Sequence, residues 1–295
     1  MTAVQLKFVK VRGIDLAYYE RGKPSAARPT LLFVHATGFH ARVYDRIIEA
    51  FDGYHVLALD QRGHGRSESV AIEHWRSMGE DLAAFVETLN LNSLIGVGHS
   101  MGAHAMVDAA SISGAFARLI LLDPTIGDPQ SYDTPMPGPT TETGMHPAAK
   151  RKRHFASPEQ MMSRLGSKGG YALFEPRILA DYCHYGLVPD VGGGFTLACR
   201  PEVEASVYAA ARSNPGVFDS VRDIDIPVTI MRAKAPPEDR SKMDFSSSPT
   251  WPGLVKLFRH GREIHLPDCS HFIPMQMPQR VIDVLQEEIA QWQRA

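Results

Sequence analysis

Cysteine is scarce and long apolar runs are missing from this chain of 295 residues. The three cysteines, Cys183, Cys199 and Cys269, are odd in number and widely spaced, so they form neither a disulfide framework nor a zinc pattern. No apolar run approaches the roughly 20 residues that cross a bilayer, and the first residues lack the apolar core of a signal peptide. We therefore expect a cytoplasmic protein that binds neither membrane nor metal.

A strong net charge is also missing, because 31 Lys and Arg face 33 Asp and Glu, which leaves a net charge of −2. This balance carries no electrostatic footprint for nucleic acid. The basic run at residues 150–154, KRKRH, is interpreted as a solvated surface. Gly96 and Gly98 precede a helix, but Met101 stands where a dinucleotide fingerprint needs its third glycine. We expect no cofactor and no nucleic acid, a small molecule as partner, and leave a homodimer open.

What the chain does contain is one serine placed between a strand and a helix. Residues 93–102 read SLIGVGHSMG, a short apolar run that ends in a glycine-flanked turn, and small residues tolerated in helices follow. This G-x-S-x-G pattern is typical of a nucleophile elbow, which exposes the hydroxyl of Ser100 at the mouth of a sheet. Glycine is needed beside such a serine, because side chains at Gly98 and Gly102 would collide with the neighbouring strand and helix.

Buried strands alternate with helical patterns along the first half of the chain. Continuous apolar strands in this alternation predict an α/β protein with a mostly parallel sheet and helices on both faces. Ligands bind such sheets beyond the carboxyl ends of the strands. His35, Asp60, Ser100 and Asp123 all fall at predicted strand ends. Residues 4–11 and 14–19 predict a hairpin that precedes the first of these strands, and a helix is expected at roughly 43–51.

The alternation stops after Pro124. From residue 125 to 219 we find no clean strand, several prolines, and helical patterns around 158–165, 176–185 and 201–211. The sequence predicts a core of residues 1–124 and 220–295 with an inserted, mainly helical cap domain at 125–219. The sheet is expected to resume at 227–231 and to end with a strand at 263–266.

A serine hydroxyl needs a base within hydrogen-bond reach, and imidazole has a suitable pKa. His271 is the best candidate because it follows the last predicted strand and therefore lies at the functional edge. His99 and His104 belong to the turn and helix of the elbow, and His260 and His265 flank or occupy the last strand. The backbone N–H of Met101, at the start of the helix, can stabilise a developing oxyanion.

Four motifs resemble those of the α/β-hydrolase superfamily, in the same order and over nearly the whole chain. They are His35-Ala36-Thr37-Gly38, the loop at residues 60–67 (DQRGHGRS), the elbow, and the late His271. The resemblance implies an eight-stranded α/β-hydrolase fold with a cap, and a second oxyanion-hole donor at Thr37.

The resemblance leaves the acid of the catalytic triad open. The family usually places it after the strand that follows the cap, where Glu238 and Asp239 come late in the loop. A minority of relatives place it one strand earlier, where this chain has Asp123. Asp123 is the first choice, with Asp239 or Glu238 as the alternative.

These features predict a serine hydrolase, esterase-like, that cleaves a small to medium carboxylic ester or lactone through an acyl-enzyme. Related enzymes also suggest hydrolysis of a C–C bond in a ring-cleavage product, or acyl transfer. The hypothesis from a different class is a non-catalytic, ligand-binding protein with the hydrolase fold.

Overall fold

The computed structural model describes residues 4–133, 146–237 and 245–294. Within them the chain forms one eight-stranded sheet and one small sheet of three strands. The strands of the large sheet are β1 Gln5–Val11, β2 Ile14–Arg21, β3 Thr30–Val34, β4 Val56–Leu59, β5 Leu94–His99, β6 Phe116–Leu122, β10 Val228–Arg232 and β11 Gly261–His265. The strands of the small sheet are β7 His154–Phe155, β8 Leu187–Pro189 and β9 Phe195–Leu197.

The large sheet has the order β1-β2-β4-β3-β5-β6-β10-β11. β2 runs antiparallel to both of its neighbours, and the other five pairings are parallel. The predicted hairpin, the mostly parallel sheet and its eight strands are therefore confirmed. β5, which ends at the candidate nucleophile, lies near the middle of the sheet, so its carboxyl end is flanked by those of β3 and β6.

Helices cover both faces of this sheet. The helices of the described residues are α1 Asp45–Ile48, α2 Arg76–Thr88, α3 Met101–Ile112, α4 Pro158–Leu165, α5 Pro176–Tyr185, α6 Pro201–Ala209, α7 Val217–Asp223, α8 Ile273–Gln276 and α9 Pro278–Trp292. Residues of α2, α3 and α7 form one core with one set of strand side chains, and residues of α1 and α9 form another with the opposite set. Alternate strand residues point to opposite faces of the sheet. Because helices bury both faces, the strands are apolar at successive positions.

Two local expectations differ from the structure. The segment from Val43 to Phe51 is not one helix but a short 3-10 turn, the single turn α1 and another 3-10 turn. The segment from 125 to 219 does contain strands, because β7, β9 and β8 pair antiparallel. These strands are two or three residues long, too short for an alternating pattern to register. The helices α4, α5 and α6 begin at the predicted prolines, and the division into core and cap stays a prediction.

Candidate active site

Ser100 lies in a strained turn between β5 and α3. Its φ is +56°, in the region that residues with a side chain rarely adopt. A Cβ added to Gly102 would lie 2.4 Å from the carbonyl oxygen of Val34, and one added to Gly98 would lie 2.6 Å from Cα of Ala103. The flanking glycines therefore allow the close approach of strand and helix that holds the serine at the sheet edge.

Ser100, His271 and Asp123 form one hydrogen-bonded chain. His271 Nε2 lies 2.9 Å from Ser100 Oγ, and His271 Nδ1 lies 2.7 Å from Asp123 Oδ2. All three residues are at most 6% exposed. With Nδ1–H donating to the carboxylate, Nε2 is left to accept the serine proton. The structure thus brings together the three side chains that the sequence nominated from three separate strand ends.

Asp123 follows β6 directly and is itself held in an unusual backbone conformation, with φ +45°. Its second oxygen, Oδ1, accepts hydrogen bonds from the backbone N–H of Ala233 at 3.0 Å and from the hydroxyls of Ser248 at 2.5 Å and Thr250 at 3.2 Å. Three donors on Oδ1 fix the rotamer that presents Oδ2 to His271. Glu238 and Asp239 lie outside the described residues.

His99 precedes Ser100 in the chain and supports the loop that carries His271. Its Nε2–H donates to the carbonyl oxygen of His271 at 2.8 Å. The ring is fully buried, and burial together with the nearby His271 lowers the pKa of His99 well below its ordinary value. A neutral His99 packs beside the ring of His271 without adding a second positive charge to the site.

The two predicted oxyanion donors lie side by side. The Thr37 hydroxyl donates to the sulfur of Met101 at 3.3 Å, which couples the loop after β3 to the start of α3. Met101 is the first residue of α3, so its N–H has no acceptor within the helix. The Thr37 N–H has no acceptor among the described residues. Two unpaired N–H groups beside the nucleophile can bind a developing oxyanion.

The loop that carries Thr37 is braced by neutral histidines. His64 Nε2 accepts from the backbone N–H of Gly38 at 3.0 Å, while His64 Nδ1–H donates to the carbonyl of Arg62 at 2.9 Å. Burial lowers the pKa of His64 to about 4, so the ring stays neutral and can accept. Asp60 accepts two backbone N–H groups, from Ala41 and Arg66, and therefore braces its loop.

Thr125 is a site residue that the sequence reasoning missed. Its hydroxyl lies 2.9 Å from Ser100 Oγ, and its backbone N–H donates to the Ser100 carbonyl at 3.2 Å. With His271 Nδ1–H donating to Asp123, Nε2 is free to accept from Ser100, and the hydroxyl of Thr125 can then donate to Ser100 Oγ. The buried His104 donates in turn to the carbonyl of Thr125 at 3.2 Å and contacts Asn214 at 3.0 Å. A polar residue two places after Asp123 was the available signal.

Above these residues lies a cavity of about 990 Å³. Ser100, His271, Thr37 and Thr125 reach its floor, and aromatic and aliphatic side chains form most of its walls. The apolar wall residues are Phe39, Trp75, Phe155, Met161, Leu165, Tyr171, Tyr208, Phe245 and Phe272. The volume lies at the upper end of the range for small-molecule sites.

The described residues contain no group of three His, Cys, Asp or Glu side chains arranged to hold a metal ion. In the same residues no helix combines the length and the apolar character that a bilayer span requires.

A parallel sheet with a serine on a strained turn, an imidazole and a carboxylate in line defines the architecture of a serine hydrolase. The family model "Alpha/beta hydrolase family" matches residues 31–284. The chain therefore belongs to the α/β-hydrolase family and is a hydrolase enzyme.

Individual relatives agree with this assignment. The chain is 26% identical over 275 residues to the bifunctional esterase/perhydrolase DCH of Acinetobacter calcoaceticus, with 89% of this chain and 91% of that protein covered. It is 32% identical over 119 residues to a putative esterase/lipase of Haemophilus influenzae, where the match spans 39% of this chain and 42% of that protein.

A solved structure shares the fold over the full length. The crystal structure of E-2-(acetamidomethylene)succinate hydrolase superposes with a TM-score of 0.74 at 20% identity, covering 97% of this chain and 98% of that one.

Proposed function

We propose that this hydrolase cleaves a small to medium carboxylic ester or lactone through an acyl-enzyme on Ser100. The observation that carries the proposal is the continuous chain from Asp123 through His271 to Ser100, which opens into a largely apolar cavity. Similarity to an esterase over 89% of the chain supports an ester as the substrate.

The mechanism follows from the hydrogen bonds. His271 Nε2 takes the proton of Ser100 as Oγ attacks the substrate carbonyl carbon, and the N–H groups of Met101 and Thr37 hold the oxyanion. His271 then gives this proton to the leaving oxygen, which departs and leaves the acyl group on Ser100. A water molecule, deprotonated by His271, attacks the acyl carbon, and the bond to Ser100 Oγ then breaks as His271 returns the proton to that oxygen and the acid leaves. Asp123 stabilises the imidazolium in both halves of the reaction.

An active-site-directed reagent tests this proposal. A fluorophosphonate is expected to label Ser100 stoichiometrically and to abolish turnover of a p-nitrophenyl ester, because it reacts with serines that an adjacent base has activated. Peptide mapping by mass spectrometry identifies the labelled residue. A folded protein that hydrolyses the ester but is labelled elsewhere, or not at all, would exclude Ser100 as the nucleophile.

The bond that is cleaved is tested with a substrate panel. We expect esters or lactones to be hydrolysed with a higher kcat/KM than dienoic diketones, which report C–C hydrolysis. Adding an alcohol acceptor and quantifying the new ester separates acyl transfer from hydrolysis. A kcat/KM that is highest for the diketones would establish C–C hydrolysis instead.

Thr125 is proposed as a positioning residue for the nucleophile. Replacing Thr125 with valine removes its hydroxyl at nearly constant volume, and kcat/KM is expected to fall about tenfold, the value of one lost hydrogen bond. Thr125→Ser keeps the hydroxyl and is expected to restore most of the activity. If valine and serine variants behave alike, the contact has no part in positioning.

The location and assembly of the protein stay predictions. We propose a cytoplasmic enzyme that acts on a small molecule, and the homodimer that the sequence left open is tested by its mass in solution.

A further inference from the structure

The cavity above the candidate site is lined by several basic side chains. Six basic side chains are among its lining residues, and the described lining contains one carboxylate, Glu204. The basic residues are Lys150, Arg151, Lys152, Arg164, Lys168 and Arg212. They come from three separate stretches of the chain, namely the basic run before β7, α4 with the loop after it, and the turn that follows α6.

One of these cations is neutralised inside the wall. Arg151 forms an ion pair with the buried Glu204 and donates to the hydroxyl of Tyr182 at 3.1 Å. Both residues line the cavity, and because their charges cancel, the pair adds no net charge to it. It also shows that the basic run at residues 150–154 is not simply a solvated surface, because its second residue turns inward.

The other five cations differ from Arg151 in their surroundings. Among the described residues, none of the five has a carboxylate oxygen within 4.0 Å. Arg212 is half-buried, and the other four are exposed at the rim. In the described part of the chain, the rim thus carries five basic side chains without a carboxylate partner, on a protein whose net charge is −2. A cleft lined by one sign of charge with low-dielectric walls focuses the field and attracts ligands of the opposite sign.

We infer that the substrate carries an anionic group, a carboxylate or a phosphate, which the basic rim binds while the scissile carbonyl lies over Ser100. This inference rests on the proposed ester hydrolysis and specifies its substrate class. The apolar walls suit the carbon chain between the two groups. The cations surround a cavity that leads to the nucleophile, so a small anionic substrate fits them better than an extended polyanion.

Two esters that differ in charge test whether the anionic group of the substrate is a carboxylate. Mono-p-nitrophenyl glutarate carries one free carboxylate, and p-nitrophenyl methyl glutarate masks it as a methyl ester. We expect kcat/KM to be at least about tenfold higher for the anionic ester at low ionic strength, within the range of electrostatic steering. The ratio is expected to fall as salt is added, because exposed charges are screened within about 8 Å at physiological ionic strength.

The phosphate form is tested with thioesters. Butyryl-coenzyme A carries phosphates distant from its acyl group, and S-butyryl-N-acetylcysteamine lacks them. A preference confined to the glutarate pair would assign the rim to a carboxylate, and one confined to the thioester pair would assign it to phosphates. Equal kcat/KM values within both pairs would overturn the inference.

Charge removal identifies the residues responsible. The triple variant Arg164→Gln, Lys168→Gln, Arg212→Gln is expected to reduce the charged-to-neutral ratio of kcat/KM about tenfold. The control carries Lys23→Gln and Lys256→Gln, two exposed lysines outside the cavity lining, and is expected to keep the wild-type ratio. A ratio that changes equally in both variants would show only an effect of net charge and would contradict a role for the rim.

If the enzyme turns over no ester, that result counts against the proposed function alone. Anion binding by the rim can still be measured directly. Calorimetric titrations of the folded wild-type protein with glutarate and with inorganic phosphate are then expected to show binding of at least one anion, which the triple variant loses. Absence of binding of both anions to the wild type in low salt would overturn the inference itself.

Discussion

Replacing Ser100 with alanine is expected to lower kcat for ester hydrolysis by about 10⁵- to 10⁶-fold, as loss of a nucleophile does in serine hydrolases. Alanine keeps the Cβ that the strained turn already accommodates, so the fold should survive. The remaining activity would come from the oxyanion donors and substrate binding alone. Steady-state kinetics with a p-nitrophenyl ester measure the effect, and circular dichroism verifies folding.

A matched control is available on the same helix. Ser111 lies in α3, where its hydroxyl donates to the carbonyl of Asp108 at 2.9 Å, away from the cavity lining. Ser111→Ala makes the same chemical change and is expected to leave kcat within about twofold, because surface substitutions away from special features have small effects. A Ser100→Ala protein that keeps more than a few per cent of wild-type activity would rule out nucleophilic catalysis by Ser100.

Asp123→Asn is expected to lower kcat by about 10⁴-fold. Oδ1 of Asp123 accepts three hydrogen bonds, so an asparagine would keep its carbonyl oxygen at that position and turn its NH₂ toward His271. The NH₂ would donate to Nδ1, and the ring proton would move to Nε2. That tautomer cannot accept the proton of Ser100, although the geometry is unchanged.

Three further variants complete this experiment. Asp268→Asn removes an exposed carboxylate from the loop that leads to His271, and we expect near-normal kcat. Glu238→Gln and Asp239→Asn probe the alternative acids, and near-normal activity is expected for both. If Asp123→Asn is active while one of these two is inactive, the acid lies in the loop after β10, where the family usually has it.

The core of the fold was predictable because its signals are local. Apolar runs of four residues, each followed by a polar tip, located β3, β4 and β6, and prolines marked where α4, α5, α6 and α9 begin. The small sheet was not predictable, since strands of two or three residues depend on pairing partners that are distant in sequence. The prediction of one helix from Val43 to Phe51 was wrong, because the apolar residues of this segment pack into the core without forming a continuous α-helix.

The residues of the candidate site that come directly after a strand, or in the loop that follows it, could be predicted from the sequence. Ser100, Asp123 and His271 each come directly after a strand or in the loop that follows it, and the sheet order makes β5 and β6 neighbours. Thr125 was missed because its role depends on a contact through space with Ser100.

The surroundings of the basic run at residues 150–154 could not be predicted from the sequence either. Residues 150–154 look like one solvated patch in the sequence, but the side chains have different partners. Arg151 pairs with the buried Glu204, Arg153 pairs with the exposed Glu202, and the two lysines lie at the cavity rim. Neighbouring charges in this run thus have different surroundings, and no local pattern encodes that separation.

The central claim is that the reaction proceeds through an ester bond to Ser100. Mixing enzyme with excess p-nitrophenyl ester, quenching in acid within milliseconds and measuring the intact mass tests it most directly. We predict a mass increase equal to the acyl group, located by peptide mapping on Ser100, together with a burst of nitrophenol of about one equivalent. Turnover in which the substrate is consumed at the normal rate, with no burst and no acylated Ser100 in the quenched protein, would contradict the account.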